Sequence, residues 1–322
     1  EKLNILSFPV HEAYQTGLEK TNAKYYLYQA DGIKDWKTQY RKLPSNHILL
    51  DKNLGIAQIP SDVEWDAILS QNKFGNFQVA QQLSRVMGLP IISLEHTLPQ
   101  LNWNELHLNQ LKGMKGNINL FISEYSRKKW GWSEEEAGVI HHGINNKFFK
   151  PNPNLEREKH ILAVCNDWIN RDWCCNFQGW QRITQGLPVK VIGDTKGLSK
   201  PAKDVDELLI EYQKARVFIC TATVSPISTS LLEAMSVGCA CVAVASCMVP
   251  EIIVNGVNGF LSNSEQELRQ YCEVLLHDQV LCENMGKAAR QTIIDKFSLD
   301  KFTDNWNKIL FKASNLTYTE HL

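Results

Sequence analysis

The sequence contains no apolar run approaching the roughly eighteen residues that a membrane-spanning helix needs. Its opening stretch, EKLNILSF, is a charged pair followed by a strand pattern, unlike the apolar centre of a secretory leader. An excess of charge of one sign is also missing. Lys and Arg number 34 against 35 Asp and Glu, for a formal net charge of −1, so no global pull toward nucleic acid or an anionic membrane is expected. No Cys pair stands at zinc-finger spacing beside partner His residues, which argues against a structural metal. Low-complexity tracts and short repeats are absent too. What remains, 43% apolar and 21% charged residues, is the composition of an ordinary soluble globular protein. At 322 residues the chain exceeds what one hydrophobic core usually supports, and two domains are expected.

Cysteine is the exception to this scarcity. The nine residues Cys165, Cys174, Cys175, Cys220, Cys239, Cys241, Cys247, Cys272 and Cys282 are odd in number, and several lie in apolar runs such as RVFICTA and GCACVAVASC. Reduced thiols filling a core, in a cytoplasmic protein, are the expectation. Short apolar runs at 3–8, 24–29, 47–50, 65–71, 90–96 and 118–124 read as strands, with helical stretches between them such as NFQVAQQLSRVMG at 76–88, closed by Gly. The pattern breaks at KFFKPNPNLEREKH, 147–160, a linker candidate, and restarts with strands at 160–167, 189–194, 215–222 and 239–245. Near-continuous apolar strands alternating with helices imply parallel sheets covered on both faces. The expected fold class is α/β: two Rossmann-like doubly wound domains facing across a cleft, at 1–150 and 151–300. A last helix within 301–322 is expected to pack across the junction.

In such sheets ligands bind beyond the carboxyl ends of the strands, where helix N-termini attract anions. The turn after the strand RVFICTAT reads VSPISTSLLEAM. Ser225 and Pro226 make the turn, and Ile227, Ser228, Thr229 and Ser230 are expected to start a helix with its N–H groups toward a ligand. Capping explains the hydroxyls but not Glu233, an acid among Leu231, Leu232, Ala234 and Met235. A buried carboxylate is costly unless compensated. It is either bonded to neighbouring backbone or faces a ligand, and a sugar diol suits it, offering two donors to one acceptor group.

The run LLEAMSVGCACVAVASCMVPEIIVNGVNGFL, 231–261, resembles the signature of the retaining glycosyltransferases of the GT-B fold, the glycosyl transferase group-one family. Glu233, Ala234, Met235, Gly238, Pro250, Glu251, Asn255, Gly256, Gly259 and Phe260 match. YQKARVFICTA, VIHHGINNKFFKPN and FISEYSRKKW match more loosely, so the likeness covers 118–322 well and the first 117 residues only in architecture. The resemblance implies a glycosyltransferase that moves a sugar from a nucleoside-diphosphate sugar, UDP expected over GDP, to a glycan or lipid-linked saccharide with retention of configuration. It implies Glu233 on the nucleotide ribose. The family's first motif Glu is Ser225 here, which leaves donor preference and rate in question. The family's Gly-Arg-x-x-x-x-Lys-Gly turn is CNDWINRDW, placing Asn166 at the Arg position and Arg171 at the Lys position. Arg171 then steadies the leaving diphosphate, its bland alternative being an ion pair with Asp172. Departure of a nucleoside diphosphate needs positioning and electrostatics more than acid–base groups. No cofactor and no divalent metal are expected, in keeping with the lack of an Asp-x-Asp motif.

In the first half the same likeness directs attention to Gly17, in the first strand-to-helix turn, where a backbone could approach the diphosphate or the acceptor. His96, at the end of SLEH, stands where the family often has a donor-sugar contact, and His11 and His142 are weaker candidates. SRKKWGW, 126–132, is either a solvated helix face or a patch touching a membrane or acceptor. Trp36, Trp65, Trp103, Trp130 and Trp132 are expected mostly to pack. Two rival readings stay open: a nucleotide-sugar epimerase or hydrolase, and a nucleotide-sugar-binding subunit impaired by Ser225 and Asn166.

Overall fold

The computed structural model describes residues 1–38 and 41–316. By contacts the chain forms two compact units, Glu1–Gly143 with the described residues from Asp300 onward, and Ile144–Leu299. The last six residues of the segment expected at 301–322 lie outside the described residues.

The first unit is built on seven parallel strands: β1 (Leu3–Ser7), β2 (Ala23–Leu27), β3 (His47–Leu49), β4 (Ala67–Ser70), β5 (Ile91–Glu95), β6 (Ile118–Phe121) and β7 (Gly138–Val139). Its helices are α1 (Glu12–Gly17), α2 (Asn76–Met87), α3 (Glu105–Lys112) and α4 (Glu124–Lys129). The strand order β3-β2-β1-β4-β5-β6-β7 reverses direction between β1 and β4. That is the switch point at which loops splay apart and open sheets take ligands.

The second unit has five parallel strands, β8 (Glu158–Val164), β9 (Val189–Ile192), β10 (Ala215–Cys220), β11 (Ala240–Val244) and β12 (Phe260–Ser262), in the order β12-β11-β10-β8-β9. Its switch point lies between β8 and β10. Seven helices follow in chain order: α5 (Asp172–Cys175), α6 (Phe177–Thr184), α7 (Val205–Lys214), α8 (Thr229–Val237), α9 (Val249–Ile252), α10 (Glu265–His277) and α11 (Gln279–Thr292). The chain ends its described part in α12 (Leu299–Ser314), whose residues from Asp300 group with the first unit.

Every expected apolar run became a strand, one to three residues shorter than its pattern. β11 is buried along its whole length, and β10 at every residue but its last, as expected of strands covered by helices on both faces. α8 and α11 pack on one face of that sheet around Leu232, Met235 and Ala289. α6 and α10 pack on the other around Trp180, Leu268 and Leu275. Three elements carry no sequence pattern long enough to read: β7, β12 and a 3-10 stretch at Lys52–Gln58.

Candidate active site

A cavity of about 390 Å³ opens in the second unit at its switch point. Its walls are the end of β8 with the turn that follows (Cys165, Asn166, Arg171) and the end of β10 with its turn (Cys220, Thr221, Ser225). The first residues of α8 and Glu233 complete it. Gly193, at the end of β9, is what permits the first turn. It has φ +139°, and a Cβ there would stand 1.9 Å from the Cys165 carbonyl oxygen.

α8 begins at Thr229, two residues later than the expected start at Ile227, because Ser225 Oγ donates to the Ile227 carbonyl at 2.6 Å and holds Pro226–Ser228 in a turn. The N-cap Ser228 makes no side-chain capping bond; its hydroxyl instead meets Cys220 Sγ at 3.2 Å. The leading N–H groups of this nine-residue helix are therefore left without a side-chain acceptor, the condition under which a helix start binds an anion.

Glu233 sits one turn further along α8, half-buried on the cavity wall. Among the described residues no hydrogen bond or ion pair engages its carboxylate, so the backbone-bonded alternative does not hold. Burial alone pushes its pKa up to about 7. Arg171 is exposed and donates through Nη1 to the Asn166 carbonyl at 3.2 Å. The alternative pairing with Asp172 is not made: that carboxylate accepts from the Gln178 main chain at 2.8 Å and side chain at 3.1 Å. Asn166 Oδ1 accepts from the Asp194 N–H at 2.9 Å, which ties the β8 turn to the β9 turn. Pro226 is half-buried in the same region but does not line the cavity.

At the switch point of the first unit, His11 Nε2 and Asn72 Oδ1 meet at 3.0 Å, joining the turns after β1 and β4. His11 is left-handed at φ 52°, a strained conformation for a residue with a side chain. Its ring stacks on His96 at 3.8 Å, and His96 Nε2 meets Gln71 Oε1 at 2.9 Å. Tyr14 lies edge-on to both His96 and His142. Burial lowers all three imidazole pKa values, His142 to about 4 and His96 well below the ordinary value, so the cluster is neutral near pH 7.

Residues 199–292 match the family described as "Glycosyl transferases group 1". The fold matches Anabaena HepE, solved in complex with UDP, at TM-score 0.74 and 15% identity over 97% of this chain and 100% of that one. A glycosyltransferase from Rickettsia africae matches at TM-score 0.71 and 14% identity over 98% and 99%. Sucrose-phosphate synthase from Thermosynechococcus elongatus matches at TM-score 0.73 and 13% identity over 97% and 99%. No curated protein matches the sequence. The fold is that of the GT-B glycosyltransferases it matches, and residues 199–292 carry the group 1 family pattern.

The cavity at the second unit's switch point gathers Asn166, Arg171, Ser225, Ile227, Ser228, Thr229, Ser230 and Glu233. Two other candidates, Gly17 and His96, belong to the first unit. Gly17 ends α1, where an added Cβ would come 3.2 Å from the Phe302 ring, so close packing against α12 accounts for a glycine there. His96 is 7% exposed and engaged with Gln71, whereas its stacking partner His11 is the more open ring. Neither Arg127 nor the tryptophans of SRKKWGW form a surface patch: Arg127, Trp130 and Trp132 are buried, and Arg127 pairs with Glu124 and donates to the Trp132 carbonyl. Trp36 is buried as well. All nine cysteines are free, but Cys165, Cys175, Cys220 and Cys247 are only partly buried, and the first three line the cavity. Cys165, Cys175 and Cys220 still pack against the core from the cavity side, so core filling describes them in part. A thiol at the last residue of a strand, or just past it, was the available signal. Among the described residues no group of three or more His, Cys, Asp and Glu side chains is placed to hold a metal ion, and no helix is long and apolar enough to cross a membrane.

Proposed function

We propose that this protein is a glycosyltransferase that takes its sugar from a nucleoside-diphosphate sugar, UDP in preference to GDP, bound in the cavity of the second unit. The observation that carries the reading is the partnerless Glu233 carboxylate on the wall of a cavity entered by the uncapped start of α8. A lone acid placed beside open N–H groups suits a ligand that is a diol at one end and an anion at the other. Ribose hydroxyls donate to Glu233, and the diphosphate takes the α8 N–H groups. Arg171 adds a full positive charge as the bond from sugar to phosphate lengthens and the leaving oxygen becomes anionic. UDP and UDP-glucose complexes of Anabaena HepE, a protein of the same fold, support this choice of donor.

In this reading Ser225 contributes one neutral hydroxyl near the donor and no charge, and His96 with its neutral neighbours in the first unit is not a proton donor. The acceptor is a glycan or a lipid-linked saccharide, transferred to with retention of configuration. No divalent metal takes part. Glu233→Ala should weaken UDP binding, while Arg171→Ala should lower turnover more than it weakens UDP binding. Calorimetry with UDP and GDP, alongside donor-turnover kinetics, checks both. Parent-like behaviour of the two variants would remove the assignment.

A further inference from the structure

A second cavity, of about 700 Å³, opens in the second unit away from the donor cavity. Its wall includes Arg157, which directly precedes β8, and Arg216, the second residue of β10. Both stand at the amino ends of strands whose carboxyl ends border the donor cavity, so the two cavities lie at opposite edges of one sheet. Residues 151–156 and one face of α11 complete the wall. Gly286 lets α11 come close, since a Cβ there would stand 2.1 Å from the Gly238 carbonyl oxygen just past α8.

Four cationic side chains converge on this space: Arg157, Arg216, Lys287 and Arg290. Among the described residues none of them is in an ion pair. The acceptors of the three arginines are main-chain carbonyls. Arg157 donates to Tyr212 at 2.9 Å and to Val237 at 2.7 Å, and Arg290 to Ser236 at 2.7 Å and to Phe149 at 3.1 Å. Arg216 donates to the Leu276 carbonyl at 3.0 Å. These bonds cap the carboxyl ends of α7, α8 and α10, and each helix end offsets only about half an elementary charge. Arg216 is left with the most to satisfy. It is 6% exposed, within the otherwise apolar strand ARVFIC. A guanidinium carries five N–H donors, and its Nε and Nη2 are not enclosed, so they open onto the cavity that it lines. A charge taken this far from water with no counter-charge is costly. Glu233 poses the same problem in the donor cavity, with the opposite sign.

We propose that this second cavity binds the phosphate group of a small phosphorylated molecule, held by Arg216 together with Arg157 and Lys287. The planar fork of a guanidinium meets two phosphate oxygens at once, and the anion supplies the charge that main-chain carbonyls do not. Pro151, Pro153 and Leu155 give the wall an apolar side for the body that carries the phosphate, and the volume is that of a small-molecule site. Two acids, Glu156 and Glu283, also line the cavity, both exposed, and Glu283 accepts from Gln279 at 2.8 Å. Exposed carboxylates are screened by water and salt, so they weaken the site without closing it. The proposal concerns a cavity separate from the donor's and stands or falls without the donor reading.

Calorimetry at low ionic strength with glycerol 3-phosphate, and with glycerol as the uncharged control, tests it. Glycerol 3-phosphate should bind and glycerol should not. Lys287 and Glu283 are exposed, so changing them should leave the fold intact. Lys287→Glu should weaken binding roughly tenfold, and Glu283→Gln should strengthen it about threefold. Arg216→Lys keeps the charge but loses the fork, and should weaken binding as well. Arg171→Ala, in the other cavity, should leave the affinity at its wild-type value. Three results would each overturn the proposal: no binding at millimolar glycerol 3-phosphate, equal affinity in Lys287→Glu and wild type, or affinity lost in Arg171→Ala with Lys287→Glu unaffected. The last would put the phosphate at the start of α8 instead.

Discussion

Glu233 costs the nucleotide-free protein stability, and the cost has a definite pH dependence. Its folded pKa, about 7, lies above the ordinary 4.5, and burial is the cause. Below about pH 4.5 the carboxyl is protonated whether the chain is folded or not, and it imposes no penalty. Between 4.5 and 7 the unfolded chain releases the proton while the folded one holds it, so stability falls as pH rises; above 7 the penalty is complete. Glu233→Gln keeps the shape and removes the charge. It should raise the melting temperature above pH 7, by an amount equivalent to roughly 2–3 kcal/mol at most, and bring no gain near pH 4.5. The same substitution should weaken UDP binding, and the wild-type excess in affinity should grow as pH rises through 7, because the ionised form is the stronger acceptor. Melting curves and UDP titrations at pH 5 and pH 8 read both trends; a gain in melting temperature equal at the two pH values would sink the account of Glu233 as an uncompensated buried acid.

At the scale of elements, the cavity depends on how closely the turns after β8 and β9 approach. Gly193 has a φ that side-chain-bearing residues avoid, and a Cβ there would collide with the Cys165 carbonyl at 1.9 Å. Gly193→Ala should therefore destabilise the second unit by several kcal/mol, on the order of the larger single-residue effects, and displace Asn166 and Arg171. The expected readout is a lowered melting temperature together with UDP affinity lost beyond what the Arg171→Ala change produces. Sequence pattern shows this architecture well, because buried parallel strands write themselves as continuous apolar runs: ARVFIC and ACVAV can hardly be anything else. It shows Glu233 as well, since a lone acid among Leu, Leu, Ala and Met breaks an apolar pattern. It does not show that α8 starts at Thr229, because serine and threonine suit a turn and a helix start alike, and only the Ser225 Oγ bond to the Ile227 carbonyl decides between them. Nor does it separate Cys165 and Cys220 from the core thiols Cys239 and Cys241. All four sit in apolar runs, and exposure is fixed by which strand end borders the switch point, a property of strand order that no local pattern carries.

At the scale of the molecule, the chain leaves its first unit at Gly143 and returns to it at Asp300, so the core of the first unit is completed by a helix made last. α12 supplies Phe302, Trp306, Leu310 and Ala313, all buried. Trp306 is fully buried, its Nε1–H donates to the Tyr14 hydroxyl at 2.9 Å, and Tyr14 in turn packs edge-on against His96, His142 and Phe302. Trp306→Ala removes a large buried ring and strips Tyr14 of its donor, which should cost about 3–5 kcal/mol. The loss belongs to the first unit, since every contact named here lies within it. The proposed donor cavity is lined by residues of Ile144–Leu299, so UDP affinity should stay at the wild-type value below the melting point of the variant. Denaturant titration followed by tryptophan fluorescence reads the first effect and calorimetry with UDP the second. A variant whose stability and UDP affinity fall together would show that the two units do not hold their structures separately, and the cavity would then have to be treated as a product of the whole chain.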